Sequence, residues 1–267
     1  MQHGKRKHDQ RTLDIVQNYI LLHDNFMKLV FEDKECTQLV LRIILEKPDL
    51  EVITVKSEYT VNSLRGRGVR FDVYATDSNN TQYDIEIQND DDGAGYKRAR
   101  YNSSMLDANI TKPGDNLKNL KETYVIFITE NDVIGKNLPI YHIDRMIKET
   151  GELFDDKAHI IYVNSRITNE TALGKLMYDF RCKHAAEMKY KVLSEKVRSL
   201  KETDEGVDRM CKAVEEYGLE LKEEGRAEGR AEGRAEGRAE GEANMIERMK
   251  ASGMSDEQIE KILSTKV

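Results

Sequence analysis

Carboxylate side chains are concentrated in two short segments that could together bind a cation. Asp72 lies within residues 69–76, and Asp84 and Glu86 lie within residues 83–88. In both segments polar and apolar residues alternate, which is typical of a half-buried β-strand. The alternation in the first segment predicts one face with Val69, Phe71, Val73 and Ala75, and the other with Arg70, Asp72 and Tyr74. The acidic residues therefore lie on the polar faces of two predicted strands.

The turn between these strands decides whether the carboxylates meet. Residues 77–80, with the sequence DSNN, have a composition that favours a turn, so the strands form a predicted hairpin. Paired residues in an antiparallel hairpin have numbers of constant sum, and a loop of odd length centred on Asn79 places Asp72 directly opposite Glu86. A loop of even length places the two side chains on opposite faces. The sequence leaves both registers open.

Two carboxylates that face each other across strands repel. A divalent cation would turn this repulsion into coordination, because Mg²⁺ binds one or two carboxylates and keeps waters or substrate phosphate as its other ligands. Asp90 and Asp91 follow closely and add negative charge. The pattern thus indicates a candidate metal site formed by Asp72 and Glu86, and the alternative is a polar strand face that is only solvated.

The elements around the hairpin indicate an α/β domain. Apolar residues recur at helical spacing over residues 25–45, and the predicted helix pair or broken helix ends at Lys47-Pro48. The other predicted elements are a strand at 52–59, a helix at 96–110 and largely apolar strands at 124–129 and 159–163. This order predicts a mixed central sheet flanked by helices.

The C-terminal part of the chain departs from this pattern. Residues 171–223 are predicted to form a helical extension, and residues 224–243 contain EGRA four times and then a degenerate EGEA. A helix with this repeat has equal charges at i,i+4 and one Gly in every four residues, and both features disfavour an isolated helix. Two interpretations stay open: a solvated linker, or a helix that forms a homo-oligomer through its Gly/Ala stripe.

The two ends of the chain have different characters. Residues 1–23 form a basic N-terminal segment, interpreted as a disordered tail in preference to a DNA-binding arm. Residues 244–267 predict a pair of short helices separated at Ser252-Gly253. Ser255 and Gln258 have the spacing of a capping box at the start of the last helix.

Composition limits the classes of protein that need to be considered. A net charge of −7 and a pI near 5.6 argue against binding nucleic acid over the whole surface by counterion release. The three cysteines include no CxxC pair, which argues against a disulfide framework and a structural zinc site. No apolar stretch approaches the ~18 residues of a membrane span. We therefore expect a cytoplasmic protein that does not associate with membranes, with its cationic groups concentrated locally at Lys5, Arg6, Lys7 and Arg11 and at Arg65, Arg67 and Arg70.

The strings RFDVYA and YDIEIQ, joined by the predicted turn, resemble the core of the PD-(D/E)XK nuclease family of transposases, also called recombination-promoting nucleases. Weaker matches lie at residues 24–31, 98–101, 129 and 138–141 and in the EGRA-type tail. The resemblance implies a restriction-endonuclease-like fold, with the nuclease domain over residues 24–170. It implies Asp72 at the first acidic position and Glu86 at the second. Gln88 stands where the general PD-(D/E)XK pattern has lysine.

What the resemblance implies is a metal-dependent DNA endonuclease associated with recombination or mobile DNA. Asp72 and Glu86 would hold Mg²⁺, or Mn²⁺, together with the backbone carbonyl of Ile87, and Gln88 would orient the attacking water. Asp24 is either an additional acidic contributor or a helix N-cap. Candidate contacts to DNA or phosphate are Arg67, Arg70, Lys97, Arg98 and Tyr101, and of these Arg70, Lys97 and Arg98 are candidate substitutes for the missing lysine.

Two further interpretations stay open. The neutral Gln88 supports a catalytically weak or inactive relative that binds DNA or a partner without cutting. The helical tail supports an interaction protein that oligomerises.

Overall fold

The computed structural model describes residues 10–62, 67–89, 92–255, 258–259 and 262. The basic residues Lys5, Arg6, Lys7 and Arg65 and the acidic residues Asp90 and Asp91 lie outside these ranges. The helices are α1 Gln10–Asn18, α2 Asp24–Phe31, α3 Lys34–Ile44, α4 Tyr96–Ile110, α5 Ala172–Arg181, α6 Lys191–Glu202 and α7 Asp204–Ala251. The strands are β1 Val52–Val61, β2 Val69–Asp77, β3 Gln82–Gln88, β4 Thr123–Thr129, β5 Ile140–Ile143 and β6 Ala158–Asn164.

Six strands form one mixed sheet in the order β1-β2-β3-β4-β6-β5. The pairs β1–β2, β2–β3 and β5–β6 are antiparallel, and the pairs β3–β4 and β4–β6 are parallel. The predicted mixed α/β fold with flanking helices is confirmed, and it is consistent with the restriction-endonuclease-like architecture. Strand β5 was not predicted, because four residues are too few for a clear alternation.

The sheet is covered on both faces, which explains why every residue of β4 is buried. Tyr124, Ile126 and Ile128 belong to a core shared with α1, α2, α3, α5 and α6. Val125 and Phe127 belong to a second cluster that includes Ala99 and Leu106 of α4. Successive residues of a strand point to opposite faces, so α4 covers one face and the other helices cover the opposite face.

The hairpin formed by β2 and β3 has the register of an odd-numbered loop. The paired residues run from Thr76↔Gln82 to Val73↔Ile85, and their numbers have a constant sum of 158. The carboxylate of Asp77 accepts hydrogen bonds from the main-chain N–H groups of Asn79 and Thr81, at 2.9 and 2.8 Å. The predicted turn and the predicted sum of 158 are therefore confirmed, and the same register extended by one residue places Asp72 opposite Glu86.

The predicted alternation of faces in β2 is wrong at Val69 and Phe71, which both pack in the second cluster. Val73 and Ala75 pack in the large core, whereas Phe71 packs in the second cluster and stacks on Tyr74 at 6.5 Å. The physical reason lies in the partner strand. Glu58, which lies between the pairs Ser57↔Val73 and Tyr59↔Phe71, has a φ of 52°, in the left-handed region. Such an irregularity re-aims the side chains next to it.

The expected division of the chain also needs correction. Part of the segment 1–23, expected to be a tail, forms helix α1, and its Val16 and the following Leu21 and Leu22 are buried in the large core. The side chains of α5 and α6 lie in that same core and do not form a separate extension from residue 171. The boundary along the chain between the two compact units lies between Val214 and Glu215.

The second unit consists largely of the C-terminal part of α7, which is helical through the whole EGRA repeat. The helix ends where the sequence predicts a break. Gly253 has a φ of 86°, and the N–H groups of Gly253 and Met254 donate to the carbonyls of Lys250 and Met249 at 3.0 and 3.2 Å. This is the Schellman motif of a helix C-terminus. The Ser255–Gln258 capping box is confirmed, with bonds of 3.0 and 3.4 Å.

Candidate active site

Asp72 and Glu86 converge at the end of the β2–β3 pairing. The main-chain N–H of Ile87 donates to Asp72 Oδ2 at 3.1 Å, and the main-chain N–H of Asp72 lies 3.4 Å from Glu86 Oε1. Gln88 Nε2 lies 3.4 Å from Asp72 Oδ2 and 3.4 Å from Glu86 Oε2. Because one amide group touches both carboxylates, the two acids occupy one site on the same side of the hairpin.

The environment of these acids opposes their ionisation. Asp72 is 9% exposed, and Asp84 and Glu86 are fully buried. Burial raises the pKa of all three carboxyl groups. The charge of Glu86 raises the pKa of Asp72 and of Asp84 further, while Arg98 partly opposes the rise at Glu86. The site therefore has an excess of negative charge that an additional cation would relieve.

Asp84 is held by a residue of α4. Asn102 Nδ2 donates to Asp84 Oδ2 at 3.0 Å. The other oxygens of this pair, Asp84 Oδ1 and Asn102 Oδ1, are buried and have no hydrogen-bond partner. The raised pKa of Asp84, caused mainly by burial, favours its protonated form, and that proton supplies a donor among these acceptors.

Gln88 is packed closely against the loop that follows β3. A Cβ atom at Gly93 would lie 2.1 Å from Gln88 Oε1, so a larger residue there would displace the end of the flexible Gln88 side chain. Gly93 therefore leaves the space in which the Gln88 amide reaches both carboxylates.

The basic candidates differ in their relation to the site. The Arg98 guanidinium lies 2.7 Å from Glu86 Oε2. Arg70 instead lies 3.5 Å from Glu58, which is also paired with Lys28 at 2.8 Å. Lys97 is exposed on the same helical turn as Arg98. Of these candidates, Arg98 is the one that the structure brings into contact with the acidic pair.

Three other predicted residues lie around the site. The hydroxyl of Tyr101 donates to the carbonyl of Arg67, and this bond joins the end of the β1–β2 connection to α4. Arg67 is exposed. Asp24 is the first residue of α2, not its N-cap, which is His23. The Asp24 carboxylate pairs with Lys28 at 2.8 Å, and its charge contributes to the raised pKa of Asp72.

Sequence reasoning missed Asn102, Gly93 and Lys28. Two of them carry a signal in their spacing. Asn102 lies four residues after Arg98 on α4, and Lys28 lies four residues after Asp24 on α2, so each shares a helix face with a residue that was singled out. Gly93 has no comparable signal, since its requirement depends on where the Gln88 side chain lies.

The donors at this site fit a hard divalent cation that keeps part of its hydration. Among the described residues no group of three or more His, Cys, Asp or Glu side chains could hold a metal ion. Asp72 and Glu86 are two carboxylates, and Mg²⁺ is commonly bound by one or two carboxylates with waters and phosphate. Their shared burial and mutual repulsion make the ionised pair unfavourable by itself, and a bound divalent cation would relieve that repulsion.

The comparisons with known proteins agree with this architecture. No helix in the described ranges is long and apolar enough to span a membrane. Searches of curated proteins and of solved structures gave no match. A family model described as PD-(D/E)XK nuclease family transposase matches residues 23–232. This match covers most of the chain and includes both acidic strands, and the chain therefore belongs to the PD-(D/E)XK nuclease family of transposases.

Proposed function

We propose that this protein is a divalent-metal-dependent DNA endonuclease, with Asp72, Glu86 and the carbonyl of Ile87 as the metal-binding groups. Its family is one of nucleases associated with mobile DNA, and PD-(D/E)XK nucleases generally use divalent metal ions. The observation that carries the proposal is the convergence of two buried carboxylates on one amide, that of Gln88. In a metal-free protein this arrangement is electrostatically costly, and Mg²⁺ or Mn²⁺ binding would repay that cost.

The chain's own residues would divide the work of phosphodiester hydrolysis. A bound divalent cation polarises a phosphate and lowers the pKa of a coordinated water. Gln88 can orient that water through hydrogen bonds, but as a neutral amide it cannot stabilise negative charge as an ammonium would. Arg98 is the cationic side chain in contact with the site, and the exposed Lys97 and Arg67 are candidates for contacts with the DNA backbone.

The neutral Gln88 favours a second candidate function, a relative that binds DNA or a partner without cutting it. The two functions share the same surface and differ in whether the acidic pair performs chemistry. A direct assay of cleavage separates them.

The test is nicking of supercoiled plasmid by the purified full chain with Mg²⁺ or Mn²⁺ and with a chelator. We expect metal-dependent nicking that Asp72→Asn or Glu86→Gln reduces by about 10²-fold or more, as for loss of a group that acts in the transition state. Asp107→Asn is the matched control, because Asp107 is a half-buried carboxylate bonded to Thr123 at 3.1 Å. Nicking that survives chelation, or that is equal in the variants and the wild type, would refute the proposal.

A further inference from the structure

The carboxylate of Glu86 has two different surroundings for its two oxygens. Oε1 faces the main-chain N–H of Asp72, at 3.4 Å. Oε2 faces side chains: the Arg98 guanidinium at 2.7 Å and the Gln88 amide at 3.4 Å. A cation that binds this carboxylate through Oε2 must therefore compete with Arg98.

Arg98 is well placed to leave the contact. Glu86 is fixed in β3 and fully buried, whereas the Arg98 side chain is 41% exposed and stands in the first turn of α4. Within the described part of the chain its ion pair is with Glu86 alone. The half-exposed arginine head can turn towards solvent or another partner, and a divalent cation at the same oxygen would replace the positive charge that the buried Glu86 carboxylate would otherwise lose.

The neighbouring cations do not share this position. Arg70 is paired with Glu58, and Lys28 is paired with both Asp24 and Glu58. Those carboxylates are outside the acidic pair. Arg98 therefore supplies the positive charge that touches a proposed metal-binding group directly.

We propose that Arg98 is an exchangeable counter-ion of Glu86, which a divalent cation displaces and which then binds a phosphate of the DNA. The proposal rests on the function proposed above and adds a coupling to it. Guanidinium groups bind phosphate through paired, charge-assisted hydrogen bonds, so the displaced Arg98 has a natural second partner in the substrate. Metal binding would thus prepare the site for DNA by releasing a cation that was held internally.

The first test measures metal binding without DNA. Mn²⁺ is titrated calorimetrically into the metal-free full chain and into Arg98→Met, which keeps the length of the side chain but removes its charge. We expect Arg98→Met to bind Mn²⁺ more tightly, by about twofold or more, because no side-chain cation then competes for Glu86 Oε2. Arg98→Lys should lie between the two. Arg100→Met, an exposed arginine of the same helix, is the matched control and should bind Mn²⁺ as the wild type does.

The second test measures binding of a short DNA duplex by fluorescence anisotropy, with Mn²⁺ and with a chelator. We expect Arg98→Met to weaken DNA binding when Mn²⁺ is present and to have little effect when it is absent. If Arg98 only positioned Glu86, its removal would weaken Mn²⁺ binding, and the loss of DNA affinity would not depend on Mn²⁺.

The outcomes separate the two proposals. Equal or weaker Mn²⁺ binding by a folded Arg98→Met, beside a wild type that binds Mn²⁺, overturns the counter-ion role alone. A wild type that binds no divalent cation overturns the proposed metal-dependent function, and the role of Arg98 with it.

Discussion

At the scale of single residues, burial raises the pKa of all three acids of the site, but their neighbours differ. Asp72 and Glu86 lie where a cation could reach them, beside half-exposed Gln88 and Arg98. Asp84 is enclosed between β3 and α4 and touches Asn102. Burial, and then the charges of Glu86 and Asp72, raise the pKa of Asp84 and favour its protonated form. Adjacent acids in one sequence motif therefore have different physical roles.

This difference predicts a pH dependence of stability in the metal-free protein. Since the pKa of Asp84 is raised on folding, the unfolded chain releases its proton first, and stability falls as pH rises from about 4 towards the folded pKa. Asp84→Asn removes this titration, so the stability of the variant relative to wild type should increase with pH, by at most about 1.4 kcal/mol per pH unit. Chemical denaturation between pH 5 and pH 8 measures the effect. Parallel profiles for the two proteins would contradict it, and Asp107→Asn is the control for loss of an unrelated carboxyl group.

At the scale of secondary-structure elements, the helices that surround the sheet are joined by a buried lysine. Lys201 of α6 is 4% exposed, and its ammonium donates to the carbonyls of Gln17, Tyr19 and Lys183 at 3.1, 2.6 and 2.6 Å. It also lies 5.0 Å from the centre of the Phe26 ring. One side chain thus fixes the end of α1 and the segment after α5 to α6.

We therefore expect Lys201→Met to destabilise the protein by about 2–3 kcal/mol, because it leaves three carbonyls without their shared donor. Besides the lower free energy of global unfolding, we expect faster amide hydrogen exchange in residues 10–22. Lys191→Met is the matched control on the same helix, since Lys191 is 86% exposed and pairs with Glu195 at 3.5 Å. It should change stability by less than about 0.5 kcal/mol. Unchanged exchange in residues 10–22 would show that Lys201 does not hold α1.

At the scale of the whole molecule, the boundary between compact units falls inside the long helix α7. Residues 207–214 still contribute side chains to the large core, whereas the EGRA repeat belongs to the second unit. The proposed active site lies wholly in the first unit. Nothing in the described residues supports the expected homo-oligomer, and the helical backbone of the repeat agrees with either earlier interpretation of the tail.

A chain that ends at Val214 tests this division. We expect it to fold with a thermal midpoint close to that of the full chain and to retain metal-dependent nicking, because both cores and the acidic site remain intact. Differential scanning calorimetry and the plasmid assay are the measurements. Light scattering of the short and full chains reports whether the tail self-associates. A large loss of thermal stability or of nicking would show that the second unit is required by the first.

The sequence by itself determined the features that depend on neighbours along the chain. The turn at residues 77–80 and the alternation of β3 set the register that brings Asp72 opposite Glu86, and the glycine after α7 set its end. These are local because turn chemistry and strand pairing act over a few residues.

Only the tertiary structure decided which distant groups complete the site. Arg98 meets Glu86 and Asn102 meets Asp84 because α4 packs across β3, and α1 joins the core because Val16, Leu21 and Leu22 find partners far along the chain. The position of Phe71 depended on a left-handed residue in the adjacent strand. Such contacts arise from packing between elements, which no pattern within a single segment encodes.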